Sequence, residues 1–202
     1  MRRAPHLVLL ATVLIGTPAL AQRVAEKPPS LVPAYIPREV AFLTFFQQGN
    51  ITPELRIAWH IPVVQQRIDS LNIIIDTGGG WAVGKRSTTN ENFYPPLTEL
   101  HQWHFQGGVS YEGDWGSGWH IGARVTGGVT LFGANYIGQD GPIKEGLSTA
   151  GTVEGRLEGG YRIGRVVLGI NFGILQPWSK DPTLYSPNDI GGISAGIFAN
   201  WR

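Results

Sequence analysis

The last twelve residues of the chain, GGISAGIFANWR from Gly191 to Arg202, constrain its fold more than any other segment. Their character alternates with a period of two, which is typical of a β-strand because successive side chains point to opposite faces. An apolar outer face edged by an aromatic residue fits a strand that contacts lipid on one side and a lumen on the other. The residues of this face are Ile193, Ala195, Ile197, Ala199 and Trp201.

The other end of the sequence indicates export. Arg2 and Arg3 precede an apolar run over residues 7–15, and the small-x-small triplet 19–21 then forms a cleavage site. The run is shorter than the roughly 20 apolar residues that a membrane-spanning helix needs. We therefore expect a cleaved signal peptide over 1–21, a proline-rich periplasmic lead-in over 22–37 and one domain over 38–202.

Charge and cysteine content exclude several classes of function. Once residues 1–21 are removed, 14 Lys and Arg face 15 Asp and Glu, which gives no electrostatic footprint for nucleic acid. The chain has no cysteine and therefore no disulfide framework, no thiol nucleophile and no lipid-modified Cys. Glycine accounts for 28 of 202 residues, about twice its usual share of roughly 7%.

The same alternation recurs in eight segments beyond residue 37. Each segment is close to or above the roughly 9–11 residues that a tilted strand needs to cross the hydrocarbon layer. One face of each is mostly apolar and the other polar, although the first segment is apolar on both faces. The segments cover about 38–47, 53–62, 70–84, 100–112, 119–133, 152–163, 165–175 and 191–202.

The connections between these segments alternate in length. Links 113–118 and 163–165 are short, and only the short link 48–50 breaks the alternation. Long links on one side and short ones on the other are the pattern of outer-membrane barrels, and an even strand count favours closure. We predict an all-β fold, an antiparallel up-and-down transmembrane β-barrel of eight strands, with ten as the alternative count. The long links cover 85–99, 134–150 and 176–189.

A soluble β-sandwich or lipocalin-like barrel is the alternative fold, since its strands also alternate. Its apolar faces would form a core, and its exposed faces would carry more Lys and Glu than these strands do. Aromatic residues on the apolar faces lie near the strand ends instead, which fits two interfacial belts and favours the membrane barrel. They are Trp59, Trp81, Tyr111, Trp119, Tyr161 and Trp201.

With these features, region 38–202 resembles the small eight-stranded bacterial outer-membrane β-barrels of the OmpA-barrel and OmpX kind. The resemblance rests on the signal peptide, the strand count, the alternating loops and the terminal strand rather than on a family motif. It implies a bacterial outer-membrane location, contact with outer-membrane lipid and lipopolysaccharide, and recognition of the terminal strand by the barrel-assembly machinery. We expect a monomer with no nucleic-acid partner.

The inward faces supply the candidate site. The bore of eight strands is only wide enough for side chains, and buried charges must be paired and hydrogen-bonded. We therefore predict a salt-bridge network that fills the lumen, with Arg156 between its same-face neighbours Glu154 and Glu158. The predicted members are Glu54, Arg56, Asp76, Glu112, Arg124, Glu154, Arg156, Glu158 and Arg162.

Two inward-facing patterns suggest other chemistry. Residues 73–78 contain the apolar-Asp-Thr-Gly motif of aspartic proteases, but the alternation places Asp76 on the lumen face of a strand. His60, His104 and His120 also face inward, and three histidines can bind zinc, but His104 lies at a different height. We expect no catalytic residue, no cofactor and no metal at these positions.

The predicted function is a structural or surface-interaction role carried by the long loops, and the chain is expected not to be an enzyme. A narrow pore for ions or small solutes is the first alternative. A lipid-modifying outer-membrane enzyme is the second, but the sequence lacks a His-x-Ser-Asn-like cluster. Ser179, Ser186 and Asp189 in the last long loop have no histidine nearby in the sequence.

Overall fold

A computed structural model describes residues 35–47, 50–66, 68–82, 97–138, 141–144, 146–178 and 190–201 of the chain. The predicted signal peptide, nearly all of the lead-in and most of the links 85–99 and 176–189 lie outside these residues. Among the described residues, no helix has the length and apolar character required to cross a bilayer.

The described residues form nine antiparallel strands, eight of which close into a barrel. Each barrel strand pairs with its neighbours along the chain, and β1 also pairs with β9, which completes the ring. The short strand β6 pairs only with the end of β5. The strands are β1 (Glu39–Gln47), β2 (Asn50–Gln65), β3 (Asp69–Trp81), β4 (Leu97–Asp114), β5 (Trp119–Gly138), β6 (Gly141–Lys144), β7 (Ser148–Ile163), β8 (Val166–Pro177) and β9 (Gly192–Trp201).

The predicted eight-stranded antiparallel barrel is confirmed, and the ten-strand alternative is wrong because the ring contains eight strands. The main difference is in the link predicted over 134–150. There β5 continues to Gly138, and β6 folds back on it through pairs such as Gly138 with Gly141. Inward-facing apolar side chains at this end of β5 obscure the alternation between apolar and polar faces, so the sequence pattern ends the strand too early.

The barrel wall reverses the usual arrangement of a soluble protein. Large apolar side chains point outward, and Phe42, Ile75 and Ile170 are each about half exposed, at 49%, 49% and 53%. Arg56 and Glu54 point inward and are 0% and 1% exposed. The apolar faces therefore do not pack against each other, which rules out the soluble sandwich, and they form a wall suited to acyl chains.

The two ends of the barrel differ in their connections. At one end, called the turn end, residues 66–68, 115–118 and 164–165 connect the strands. Gly164 there has φ +62°, a left-handed conformation that glycine adopts without strain, so two residues suffice to join β7 to β8. The opposite end, called the loop end, includes the long connections 82–96 and 178–191.

The seam between the first and last barrel strands is fully paired. Phe46 lies opposite Ile193 and Glu39 opposite Asn200, so the ladder runs along nearly all of β1. At the turn end, the Trp201 amide donates to the Arg38 carbonyl oxygen at 2.9 Å. The barrel consequently has no open sheet edge along this seam.

Candidate functional site

The barrel interior is the candidate site because it contains most of the buried charged side chains of the described chain. The period of two along each strand turns every second side chain inward, so separate strands contribute to one column. Arg56, Arg124 and Arg156 are all nearly or fully buried in this column. Guanidinium groups at such positions require carboxylates close by.

Arg56 on β2 contacts three carboxylates from three strands. Its Nε donates to Glu54 Oε2 at 2.9 Å, and its Nη1 donates to Glu154 Oε2 at 3.2 Å and to Asp76 Oδ1 at 3.3 Å. The guanidinium also lies over the Phe45 ring, 5.5 Å from its centroid. One arginine thus links β2, β3 and β7 across the lumen and contacts β1 through an aromatic ring.

The glycine run of β3 leaves the space that this arginine occupies. Gly78 lies opposite Arg56 in the β2–β3 ladder. A Cβ at Gly78 would lie 2.7 Å from the Arg56 Cδ and 2.2 Å from the Leu55 carbonyl oxygen. Any larger residue at this position would displace the side chain on which the network is centred.

Arg124 on β5 forms the second centre of the network. Its Nη2 donates to Glu39 Oε2 at 2.5 Å and also to Glu158 Oε1. Its Nη1 lies 3.7 Å from Asp76 Oδ2, so Asp76 is shared between Arg56 and Arg124. The two centres are therefore joined through one buried carboxylate.

Arg156 lies between Glu154 and Glu158 on the inward face of β7, but its hydrogen bonds go to Glu154 alone. It donates to Glu154 Oε1 from Nε at 3.1 Å and from Nη2 at 2.7 Å, whereas Glu158 bonds to Arg124. The reason is the register, because Arg124 and Arg156 lie directly opposite each other in the β5–β7 ladder. The Glu158 carboxylate, two residues from Arg156 along β7, can therefore reach either guanidinium. It bonds to Arg124 on the neighbouring strand β5.

Each inward histidine has a carboxylate partner of its own. Two of these histidines have a second contact. The Nε2 of His60 lies 3.3 Å from Glu39 Oε2, and the Nδ1 of His104 lies 2.7 Å from Thr130 Oγ1. Within the described ranges, no three or more His, Cys, Asp or Glu side chains are arranged to hold a metal ion. The carboxylate pairs are His104–Glu54 at 3.0 Å, His60–Glu112 at 2.5 Å and His120–Asp114 at 2.9 Å.

The residues predicted for the lumen network occupy three levels of the barrel. Glu112 lies nearer the turn end and is linked to Glu39 through His60. Arg162 lies at the turn end, bonds to Asp114 and is 27% exposed, so it is the least enclosed of the predicted members. The central level contains Glu54, Arg56, Asp76, Arg124, Glu154, Arg156 and Glu158.

Two carboxylates of the network escaped the sequence analysis. Glu39 lies in the segment predicted over about 38–47, which is apolar on both faces and therefore does not reveal its inward face, and Asp114 was assigned to a turn. Glu39 lies two residues before Ala41 and four before Leu43, so it shares their inward face. Extending the alternation of the segment 100–112 by one step would have identified Asp114, whereas Glu39 could be assigned only once the inward face of β1 was known.

The Asp-Thr-Gly segment lies in the middle of β3 rather than in a loop. Asp76 pairs with Ala58 on one side and with Gln106 on the other, and its side chain is 1% exposed. Its carboxylate contacts guanidinium groups, whereas the protease motif needs a loop and a second aspartate. The segment is therefore part of the barrel wall.

Apolar side chains occupy the rest of the interior in two clusters. The apolar wall lines the inside of β1, β8 and β9 with Ala41, Leu43, Phe45, Val167, Leu175 and Phe198. The loop-end plug fills the loop end of the lumen with Leu97, Leu100, Phe132, Ala134, Tyr136, Ala150 and Ile190. Charged groups are consequently confined to a column that is bounded by apolar side chains on one side and at one end.

The terminal strand β9 places its two faces as the alternation predicts. Ile193 and Ile197 point outward and are 60% and 62% exposed, whereas Phe198 points inward and is 3% exposed. Ala195, Ala199 and Trp201 share the outward face and are partly exposed. Recognition of this face by the assembly machinery stays a prediction.

No protein-family model matches the chain, and no curated protein sequence matches it. Two solved structures are similar to it in fold. The outer membrane enzyme PagL is 19% identical, with a TM-score of 0.49 over 80% of this chain and 97% of that one. Neisserial surface protein A (NspA) is 10% identical, with a TM-score of 0.44 over 80% of this chain and 89% of that one.

Likeness at this level of identity concerns the fold alone, but it corrects one expectation. From the sequence we expected that the chain is not an enzyme, and this expectation is contradicted by the likeness to a barrel described as an outer membrane enzyme. A fold of this kind does not by itself decide between a catalytic and a surface role. The likeness assigns no activity to this chain.

Proposed function

We propose, from the premise that the chain is a small eight-stranded β-barrel of the outer-membrane kind, that it is a sealed barrel of the bacterial outer membrane. In this proposal it acts through its outer surface and its loop end rather than through a channel. The observation that carries the proposal is the column of paired side chains that fills the lumen.

The packing of the interior supports a barrier to ions. An ion entering from the loop end would first meet the loop-end plug, in which Phe132 and Tyr136 are almost fully buried. It would then have to separate Arg56 from its three carboxylates, and breaking a buried ion pair costs about 3–5 kcal/mol. Both obstacles lie in series along the same lumen.

Planar-bilayer recording tests the sealed lumen. We expect purified, refolded barrel to give no reproducible conductance steps. The double variant F132A/Y136A, which empties much of the loop-end plug, should also give none, because the charged column beneath it remains. Reproducible steps from the unaltered barrel would contradict the proposal, whereas steps only from the double variant would show that the plug is the seal.

The orientation of the barrel is part of the proposal. We place the loop end outside the cell and the turn end in the periplasm, which is the usual arrangement of long and short connections. Lipid and lipopolysaccharide would contact the outward apolar surface of the barrel, and the barrel would work as a monomer. A surface role would then fall to the segments at the loop end.

Trypsin treatment of intact cells tests this orientation, because basic residues occur at both ends. Lys85, Arg86 and Lys180 belong to connections at the loop end, whereas Arg67 and Arg165 belong to the turn end. We expect cleavage after loop-end residues only, with Arg67 and Arg165 cut once the outer membrane has been permeabilised. Cleavage at Arg67 or Arg165 in intact cells would reverse the assigned orientation.

A further inference from the structure

The outer wall carries a groove near the loop end, where β3, β4 and β5 meet the segment before β7. The groove is open to the outside and has a volume of about 630 Å³, which lies within the range of roughly 300–1,000 Å³ typical of ligand pockets. Trp81, Trp103, Leu131 and Leu147 form its apolar sides. All four side chains belong to the outward surface of the barrel, so the groove opens toward the membrane.

Two outward glycines create the depth of this groove. No heavy atom lies within 4 Å of the position that a Cβ would take at Gly133, so the floor of the groove is open above the backbone at this position. The Trp103 indole leans against Gly79, where a Cβ would lie only 2.6 Å from the indole Cε3. The indole Nε1 also donates to Thr77 Oγ1 at 3.3 Å, which holds the ring as one side of the groove.

A hydrogen-bonded polar cluster lies at the loop-end edge of the groove, and we call it the lip. Glu99 Oε1 lies 2.6 Å from His101 Nε2, and Asn135 Nδ2 donates to Glu99 Oε2 at 2.5 Å. Thr98 Oγ1 donates to the Asn135 carbonyl oxygen at 2.9 Å. His101 and Glu99 remain 61% and 52% exposed, so the lip combines donors and acceptors at the boundary of an apolar surface.

We propose that this groove binds one acyl chain of a zwitterionic glycerophospholipid, with the lip hydrogen-bonding to the ester group that joins the chain to the glycerol. The groove supplies a long apolar surface and the lip supplies the polar contact where an acyl chain ends. This proposal requires a membrane-embedded wall but not a sealed lumen, so it can fail independently of the proposed function.

The chemistry of the site favours this occupant over others. The groove is continuous with the outward apolar surface of the barrel, so an acyl chain can enter it sideways from the bilayer. Among the described residues that line it, none is Lys or Arg, so these residues offer no counter-charge to clustered phosphates of the kind carried by lipopolysaccharide. An uncharged ester group needs no counter-charge, and its carbonyl oxygen can accept a hydrogen bond from an N–H of His101 or Asn135 that Glu99 does not use.

Native mass spectrometry of the refolded barrel with added phosphatidylethanolamine tests the groove. We expect the unaltered barrel to retain one lipid under conditions that strip the others. Gly133→Leu should weaken that retention by about tenfold, since its side chain fills the open floor that the acyl chain would occupy. If this variant does not refold, as judged by heat-modifiable gel migration, Trp103→Leu removes one side of the groove instead.

Gly155→Leu is the matched control, because Gly155 is an exposed residue on β7, outside the groove lining, that also has no heavy atom within 4 Å of a Cβ. It should retain lipid as the unaltered barrel does. Equal losses in both glycine variants, or equal retention in all three proteins, would overturn the proposal. Tighter retention of lipopolysaccharide than of phosphatidylethanolamine would overturn the assigned lipid.

The lip can be tested separately with an ether-linked analogue of the same phospholipid. The unaltered barrel should prefer the ester lipid, and His101→Phe should abolish the preference while leaving the apolar groove in place. A preference that persists in His101→Phe would refute the role of the lip.

Discussion

β1 and β2 lie side by side in the barrel wall, yet their inward side chains differ in kind. On β2, Glu54 and Arg56 are buried within the ion-pair network. On β1, their partners in the ladder are Leu43 and Ala41, which are equally buried but belong to the apolar wall. One lumen is thus filled by two kinds of packing across a single pair of strands.

The two kinds of packing depend on their neighbours to different degrees. A buried charge is stable only where its particular partners are present, and removing one leaves an uncompensated charge. Apolar side chains require mainly the right volume, and volume-conserving changes are tolerated. We therefore expect the charged side of the lumen to be sensitive to chemical identity and the apolar wall to be sensitive to size.

The largest effect is expected for Arg56→Met. Methionine keeps much of the length of the side chain but leaves Glu54, Asp76 and Glu154 without their shared guanidinium. The free energy of unfolding should fall by about 3–5 kcal/mol. Urea unfolding of the barrel in lipid vesicles, followed by tryptophan fluorescence, measures this change.

Leu43→Met is the matched change on the apolar wall, introducing the same residue on the adjacent strand. It conserves volume and should cost less than about 1.5 kcal/mol. Equal losses in the two methionine variants would remove the distinction between the two kinds of packing.

Ile170→Arg sharpens the comparison on β8, whose inward side chains Val167 and Leu175 are also apolar. Because both faces of this strand carry apolar residues, the outward face needs its own test. Arginine at Ile170, near the middle of the outward face, should cost about 2–4 kcal/mol by urea unfolding in vesicles.

Val166→Arg provides the control for depth, since it lies on the same face at the turn end of β8. Near the interface an arginine should cost only about 0–1 kcal/mol. If both arginine variants unfold at the same urea concentration, the destabilisation caused by an outward arginine on β8 does not depend on its depth in the bilayer.

The smallest expected difference compares two buried amides. Gln106 accepts from Thr126 Oγ1 at 2.9 Å and donates to Thr152 Oγ1 at 3.3 Å, so Gln106→Leu should cost about 1–3 kcal/mol. Among the described residues, neither polar atom of the Asn171 side chain has a hydrogen-bond partner. Asn171→Leu should therefore change stability by no more than about 1 kcal/mol.

The same urea assay compares both leucine variants with the unaltered barrel. A loss for Asn171→Leu as large as that for Gln106→Leu would show that the Asn171 amide is bonded, for example through buried water. If Gln106→Leu did not change the free energy of unfolding, side chains on the charged side of the lumen would not depend on specific hydrogen-bond partners.

The strands and their faces were predictable because alternation is a local property of the chain. Ile193 and Phe198 are assigned to opposite faces by counting in twos, and the structure places them so. The partner of Glu158 was not predictable in this way, because the choice between Arg124 and Arg156 depends on the register of β5 against β7. Register is set by pairing over the whole sheet rather than by neighbouring residues.

The loop-end plug was missed for a related reason. Phe132 lies near the end of the segment predicted as a strand over about 119–133, while Ala134 and Tyr136 were assigned to a loop. In the structure all three point inward on β5 and pack against Leu100 of β4. An apolar inward face resembles an apolar outward one in sequence, so the alternation between polar and apolar residues is lost where the lumen becomes apolar.

The seam between β1 and β9 brings the two ends of the barrel together at the turn end, where Trp201 bonds to Arg38. A short linker could join these positions, and new ends could be opened in the exposed turn 115–118 between β4 and β5. Such a circular permutant would keep every strand neighbour while making β5 the first strand and β4 the last. The order in which strands are synthesised could then be varied separately from the architecture that they build.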